Sequence, residues 1–160
     1  MEFNEIRSLL QENFPAAIKR ENPESSPPML YLDGDAIHEV CQFLHTHDAL
    51  YFDSLSCLTG IDNGAEAGTM EVVYHLYSIP YDLHLALSVE LDRKNPSIIS
   101  VSDLWGGANW HEREAYDLLG ISFLGHPDLR RILLPEDWEG YPLRKDYEEQ
   151  ENYHDIKVKY

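Results

Sequence analysis

The chain has 160 residues, of which 43% are hydrophobic, and a net charge of −17. That length supports one hydrophobic core rather than two full domains, and the charge excludes autonomous nucleic-acid binding because a phosphate backbone would be repelled. No apolar run reaches the length of a bilayer span, and the start MEFNEIRSLLQENF lacks signal-peptide architecture, so membrane contact is expected only through a partner.

The charge is unevenly spread. Only 3 of the 12 basic side chains fall in residues 1–92. The C-terminal part is therefore the place for local ion pairing and a specific docking surface, beside a solvated acidic body. Cys41 and Cys57 lie in no CxxC unit and read as two buried thiols. Zinc or an iron–sulfur cluster would need more thiols or a tight histidine cluster.

Residues 4–14 read as a short amphipathic helix with Ile6, Leu9 and Leu10 on one face and Asn4 as its cap. Pro15 ends it. Residues 21–28, ENPESSPP, read as a polar loop, and residues 29–32 as a brief strand. A second helix is expected over about 35–47, with Asp33 or Asp35 at its start and Ile37, Val40, Cys41 and Leu44 as its apolar stripe. His38, His45 and His47 invite a metal reading, but no fourth ligand completes a site.

Three strands follow. Residues 51–59 precede the turn signal Asn63-Gly64, and residues 70–79 are rich in β-branched and aromatic side chains. In LHLALSVEL, residues 83–91, Leu83, Leu85, Leu87, Val89 and Leu91 face one side; His84, Ala86, Ser88 and Glu90 face a less buried one. Short connections make an antiparallel meander the economical arrangement. The expected fold class is α+β: a mostly antiparallel sheet with helices packed on one face, followed by an irregular C-terminal extension. Ile98, Ile99 and Val101 read as a short edge segment.

Residues 103–147 mix aromatics, glycines, prolines and both signs of charge, and hold all three tryptophans, Trp105, Trp110 and Trp138. Residues 103–119 read as one broken helix or two short ones. Asp103 is a candidate cap for the first, and Asn109 with Glu112 a capping box for the second. Trp110, Ala115, Leu118 and Leu119 are expected to cover the sheet up to Gly120. His111, Glu112, Arg113 and Glu114 are assigned to the polar side, with Arg113 and Asp117 spaced to pair. His111-Glu112 opens a zinc-peptidase pattern, but Ala115 stands where its second histidine belongs. Ile121-Ser122-Phe123 is too short for an independent unit.

Gly125-His126-Pro127-Asp128 is a sharp turn that Asp128 or His126 can brace. Of Arg130 and Arg131, one is expected to pair internally, with Asp117 or Glu114, and the other to reach a partner carboxylate. Residues 135–147 look like an extended clamp: Trp138 and Tyr141 supply contact area, while Arg144, Lys145 and Asp146 set register. The last fourteen residues are polar and are expected to order on a partner.

The stretches SVSDLWGGANW and WHEREAYDLLGISFLGHPDLRRILLPEDWEGYPLRKDY resemble the signature of the 30 kDa subunit family of respiratory complex I, which supplies the C subunit of NADH–quinone oxidoreductases or, in chloroplasts and cyanobacteria, the J subunit. With FDSLSCLTGID and YHLYS the resemblance spans about residues 30–150. The family commonly has Trp-Pro where this chain has Trp105-Gly106, a departure confined to a turn.

The resemblance implies a non-catalytic subunit of the peripheral arm. It binds no cofactor itself and packs on the 49 kDa-like subunit and neighbouring iron–sulfur subunits. Iron–sulfur clusters, flavin and quinone are expected in those partners. The expected place is peripheral, on the cytoplasmic or stromal face of the inner or thylakoid membrane. A homologous subunit of a membrane-bound hydrogenase or ferredoxin-driven complex is the nearest alternative. A stand-alone small enzyme using His126 or His111 is an alternative of another class. The matching positions, with Trp105 and Trp138 beside ERE at 112–114, Asp117, GHPDLRR at 125–131 and YPLRKDY at 141–147, are carried over as fold-bracing or partner-docking candidates. Residues 1–120 are expected to form the α+β unit, and residues 121–160 the docking extension.

Overall fold

A computed structural model describes residues 2–159; expectations that touch Met1 and Tyr160, the outer limits of the two anticipated units, lie outside them. In chain order the elements are α1 (Phe3–Asn13), β1 (Ile18–Asn22), β2 (Met29–Leu32), a 3-10 turn (Gly34–Ala36), α2 (Ile37–Thr46), β3 (Ser54–Asp62), β4 (Thr69–Ser78), β5 (Leu83–Asp92), β6 (Ser97–Ile99), α3 (Ala108–Leu119), β7 (Ser122–Leu124) and a small hairpin of β8 (Asn152–Tyr153) and β9 (Ile156–Lys157).

The main sheet has strand order β1-β2-β5-β4-β3. Every pairing is antiparallel except β2 with β5. The expected meander is present as β3–β4–β5, with Tyr74 opposite both Leu58 and Leu87. The leucine–valine row of β5 joins Leu30, Leu32, Val72, Tyr74 and Leu76 in one hydrophobic core. Ile6 and Leu10 of α1, the stripe of α2, and Ala108, Ala115 and Leu119 of α3 close over it. All three helices therefore cover a single face of the sheet, the α+β arrangement read from the pattern.

The other face departs from simple alternation. Ala86 and Ser88 are fully buried although they point away from the core. Both are small and sit on a central strand between larger neighbours: Met29 and His75 flank Ala86, and Tyr31 and Val73 flank Ser88. Arg20 lies 3.6 Å over the Tyr31 ring, and the Ser88 hydroxyl donates to Glu71 at 3.2 Å. Cross-strand neighbours shade short side chains without any covering layer.

Several local expectations are corrected. β1 occupies part of the anticipated loop; only Ile18 in it is apolar, so it shows no strand period, and its charges suit an exposed edge. α1 starts from Glu2 rather than Asn4, with the Glu2 amide donating to Glu5 Oε2 at 2.7 Å. β6 is no edge of the main sheet. It pairs in parallel with β7, so two three-residue segments hold each other, and Ile98 and Phe123 are buried between them and the core. Cys41 is buried but Cys57 only partly so, and both are free. His38 and His45 bond Asp103 and the Phe52 carbonyl, and the Ala49 amide donates to His47 Nδ1. Among the described residues no cluster of three metal-ligating side chains occurs. Residues 152–157 form their hairpin on the chain itself.

Candidate docking surface

Residues 103–119 hold one helix, α3, preceded by turns. Gly120 ends it at φ 75°, a left-handed conformation that glycine takes without a Cβ clash. The inward face is set by Ala108, Glu112, Ala115 and Leu119, spaced by four, three and four residues. Trp110 lies two residues off that row and is 61% exposed, so it does not cover the sheet as expected. Asn109 and Glu112 form no capping box; Gly107 is the cap residue, and the Glu112 side chain turns inward.

Asp117 is the hub of the block. Its Oδ2 accepts the amide hydrogens of Ile132, Leu133 and Leu134 at 3.1, 2.7 and 2.9 Å. Its Oδ1 accepts from Arg131 Nη1 at 2.9 Å. Burial pushes this carboxyl up, but these hydrogen bonds outweigh it and hold the pKa below the ordinary range. The anticipated Arg113–Asp117 pair is therefore absent. Arg113 instead donates to the carbonyls of Arg130 and Arg131, both at 3.2 Å, and is buried. A helical i to i+4 spacing permits a pair; the returning chain offered both groups better-matched partners.

A second hub was not legible in the sequence. Asp62, buried at the end of β3, receives Arg93 through two bonds of 2.7 and 2.9 Å. Arg93 Nη2 also donates to Asp146 at 2.7 Å, and the Lys145 amide donates to Asp62 Oδ2 at 2.8 Å. The guanidinium, foremost, holds Asp62 well below the usual carboxylate range. Asp62 ends β3 and Arg93 follows β5, so only the antiparallel pairing of both with β4 brings them to one end of the sheet. Arg93-Lys94, the first basic residues after Arg20, was the available signal.

The extension is thereby laced onto the α+β body. The Leu143 amide donates to the Leu118 carbonyl at 2.9 Å, and Arg144 Nε donates to that of Leu119 at 2.7 Å. The guanidinium groups of Arg131 and Arg144 lie 5.2 and 4.8 Å from the centre of the Tyr141 ring. Trp138 donates to the Tyr147 hydroxyl at 3.2 Å and packs on Tyr153. Trp105 is buried and donates to the Phe52 carbonyl at 3.0 Å. Trp138 and Tyr141 are thus partly covered within the extension. Large apolar side chains left open in residues 103–147 include Trp110, Leu124, Leu133 and Leu143, each more than half exposed. Arg130 pairs with Asp128 at 3.0 Å on the surface, and Glu114 is exposed.

Glu112 and His126 meet in the interior. Val101 donates its amide to Glu112 Oε1 at 2.8 Å, Ser100 Oγ lies 2.6 Å from Oε2, and His126 Nε2 lies 3.9 Å from Oε2. Burial, foremost, pushes the Glu112 pKa up to about 7. His126 has both ring nitrogens committed to backbone: Nδ1 accepts the Asp128 amide at 3.0 Å, and Nε2 faces the Asn109 carbonyl at 3.1 Å. The bond to the Asp128 amide closes the turn at Gly125–Asp128. His111 lies apart from this pair, in the shallow groove between α3 and β3.

A model of the family described as respiratory-chain NADH dehydrogenase, 30 Kd subunit, matches residues 30–153. The chain belongs to this family. Curated members include the C subunit of the NADH-quinone oxidoreductase of Chlorobium phaeobacteroides, 46% identical over 95% of this chain and 92% of that protein. Its counterpart in Chloroherpeton thalassium is 43% identical over 95% of this chain, which spans only 63% of that longer relative. Among solved structures, a trypsin-resistant fragment (1–134) of Nqo5 aligns with a TM-score of 0.60 and 29% identity, covering 77% of this chain and 97% of the fragment. A chain of an archaeal membrane-bound sulfane sulfur reductase shares the fold at a TM-score of 0.75 and 23% identity, covering 91% of this chain and 85% of that one.

Proposed function

We propose that this chain is a non-catalytic peripheral-arm subunit of a proton-pumping NADH, or related donor, quinone oxidoreductase. The observation that carries this reading is the family match over residues 30–153, which takes in both the body and the laced extension. Residues 1–120 act as the α+β unit and residues 121–160 as the extension that docks on partner subunits. The partners are a 49 kDa-like subunit and neighbouring iron–sulfur subunits, which hold the iron–sulfur clusters, flavin and quinone. No described helix is long and apolar enough to cross a membrane. Membrane contact is through the complex, on the cytoplasmic or stromal face.

Trp105, Glu112, Arg113, Asp117, His126 and Arg131 are bracing residues, because their polar groups are satisfied inside the chain. Arg144, Lys145 and Asp146 fasten the extension to the body. Glu114, Asp128 and Arg130, with the open faces of Trp110, Leu124, Leu133 and Leu143, are the groups offered to a partner. The commitment of both His126 nitrogens to backbone weighs against its use in a stand-alone enzyme.

The test separates the two arginines. Arg130→Ala leaves the isolated chain folded but lowers recovery of the assembled complex from native membranes, followed by co-purifying subunits. Arg131→Ala destabilises the chain itself. Normal assembly and quinone reduction with Arg130→Ala would remove that side chain from the docking surface. Recovery of the native chain alone, with intrinsic turnover, would sink the reading as a whole.

A further inference from the structure

The Glu112 carboxyl is fully buried and, among the described residues, has no Lys or Arg in contact. Its nearest ring, His126, is equally buried and held as the neutral tautomer: an Nδ1 that accepts the Asp128 amide carries no proton, which leaves the hydrogen on Nε2 for the Asn109 carbonyl. Arg113, next along the helix, is turned to the carbonyls of Arg130 and Arg131. From the loop after β6, Asp103 adds negative charge, though His38 of α2 holds it at 2.9 Å. From α2, Cys41 is a buried thiol that Glu112 pushes up further; from β4 comes Tyr74, whose buried hydroxyl has no partner. Among the described residues, one amide and one hydroxyl are the only groups that donate to the carboxyl. A chain of hydroxyls leads away from it: Ser100 Oγ at 2.6 Å, then Ser102 Oγ a further 2.7 Å on, on a residue that is only partly buried.

We propose that Glu112 is a proton-binding site of this fold, served by the Ser100–Ser102 hydroxyls as its outlet to solvent and coupled to the Gly125–Asp128 turn through His126. In the loaded state the Glu112 O–H donates to Ser100 Oγ, Ser100 donates to Ser102, and Glu112 Oε1 still accepts the Val101 amide. On release the Glu112 proton passes to Ser100 while the Ser100 proton passes to Ser102 and the Ser102 proton to water. Both serines end with one proton each and the carboxylate carries the charge. The ionised carboxylate then draws the Nε2–H of His126, 3.9 Å away, from the Asn109 carbonyl toward itself. The ring moves with it, which loosens the bond from the Asp128 amide to Nδ1. Proton occupancy of Glu112 therefore biases the turn that leads to Asp128 and Arg130.

The test is an infrared pH titration of the full chain, with Glu112→Gln as reference; the amide keeps one acceptor and one donor in place. The expected result is a protonated-carboxyl band in the native chain that persists above about pH 6 and disappears by about pH 8. Asp62 and Asp117 cannot supply it, since both are held below the ordinary range. The band is absent from Glu112→Gln, and hydrogen exchange at the Asp128 amide, corrected for intrinsic base catalysis, accelerates across the same window only in the native chain. A native chain with no such band at about pH 6 overturns the proposal, even if the variant fails to fold. Identical pH dependence of the Asp128 exchange in both proteins overturns the coupling to the turn.

Discussion

At the scale of single residues, three buried carboxylates solve the same problem differently. Asp117 gathers three amides and a guanidinium, and Asp62 a two-pronged guanidinium and two amides. Glu112 has one amide and one hydroxyl, and burial pushes its pKa up to about 7. Asp117→Ala leaves three amides without their acceptor and takes one bond from Arg131, which still donates to the carbonyls of Asp117, Trp138 and Gly140. A loss of about 3 kcal/mol or more is expected, read from urea unfolding. Arg131→Ala should cost somewhat less, because its carbonyl partners can find water. The pH dependence follows in sign. Asp62 and Asp117 have folded pKa values below the ordinary 3.8, so their stabilisation is present above that value and is lost as pH falls through it. Glu112 has a raised value, so its contribution is present below the ordinary 4.5 and is lost as pH rises to about 7. Urea midpoints should therefore fall below about pH 4, and Glu112→Gln should flatten the decline toward neutrality.

At the scale of elements, the close approach of α3 and the extension runs through glycines. A Cβ on Gly120 would sit 2.7 Å from the Tyr141 ring and 2.8 Å from Arg144 Nη2, at a positive φ. Gly120→Ala is expected to cost about 1–2 kcal/mol and to displace the Tyr141–Arg144 segment. Limited proteolysis should then cut within residues 141–159 faster than in the native chain; an unchanged pattern would mean that the segment is held elsewhere. Under α3, a Cβ on Gly60 would meet Leu119 Cδ1 at 2.6 Å. That contact is with the end of a flexible side chain, so Gly60→Ala is the milder change, whereas a β-branched residue there should cost about 1–3 kcal/mol by overpacking. The helix and the long strands were legible because their periods are strong. β1 was not, since one isoleucine among charges has no period to read.

At the scale of the whole molecule, the extension is neither a free clamp nor part of the sheet. Its fastenings are polar: Lys145 and Arg93 on Asp62, Arg144 on Leu119, Leu143 on Leu118. These bonds place Trp138 and Tyr141 against the chain and leave other apolar side chains open. The aromatic side chains from which a clamp is read in the sequence are therefore partly covered within the chain, and other apolar side chains are the open ones. Trp110, expected to cover the sheet, is outside; Tyr141, expected to supply contact area, has the guanidinium groups of two arginines against its ring. Replacing Arg93 by Ala should release the extension and leave the three-strand meander intact. The readout is selective loss of amide protection in residues 141–147, with β4 and β5 still protected.

The sequence by itself determined the α+β class, the meander, the three helices and the family, because periodicity, turn residues and long motifs are local properties that a linear reading preserves. Only the tertiary structure decided which charges meet. Arg113 and Asp117 are adjacent on their helix yet bind elsewhere, while Asp62, Arg93 and Asp146 are far apart in the chain yet share one site. The reason is desolvation: once a charge is buried, its partner is chosen by whichever group the fold brings within hydrogen-bond reach, and sequence spacing no longer ranks the candidates.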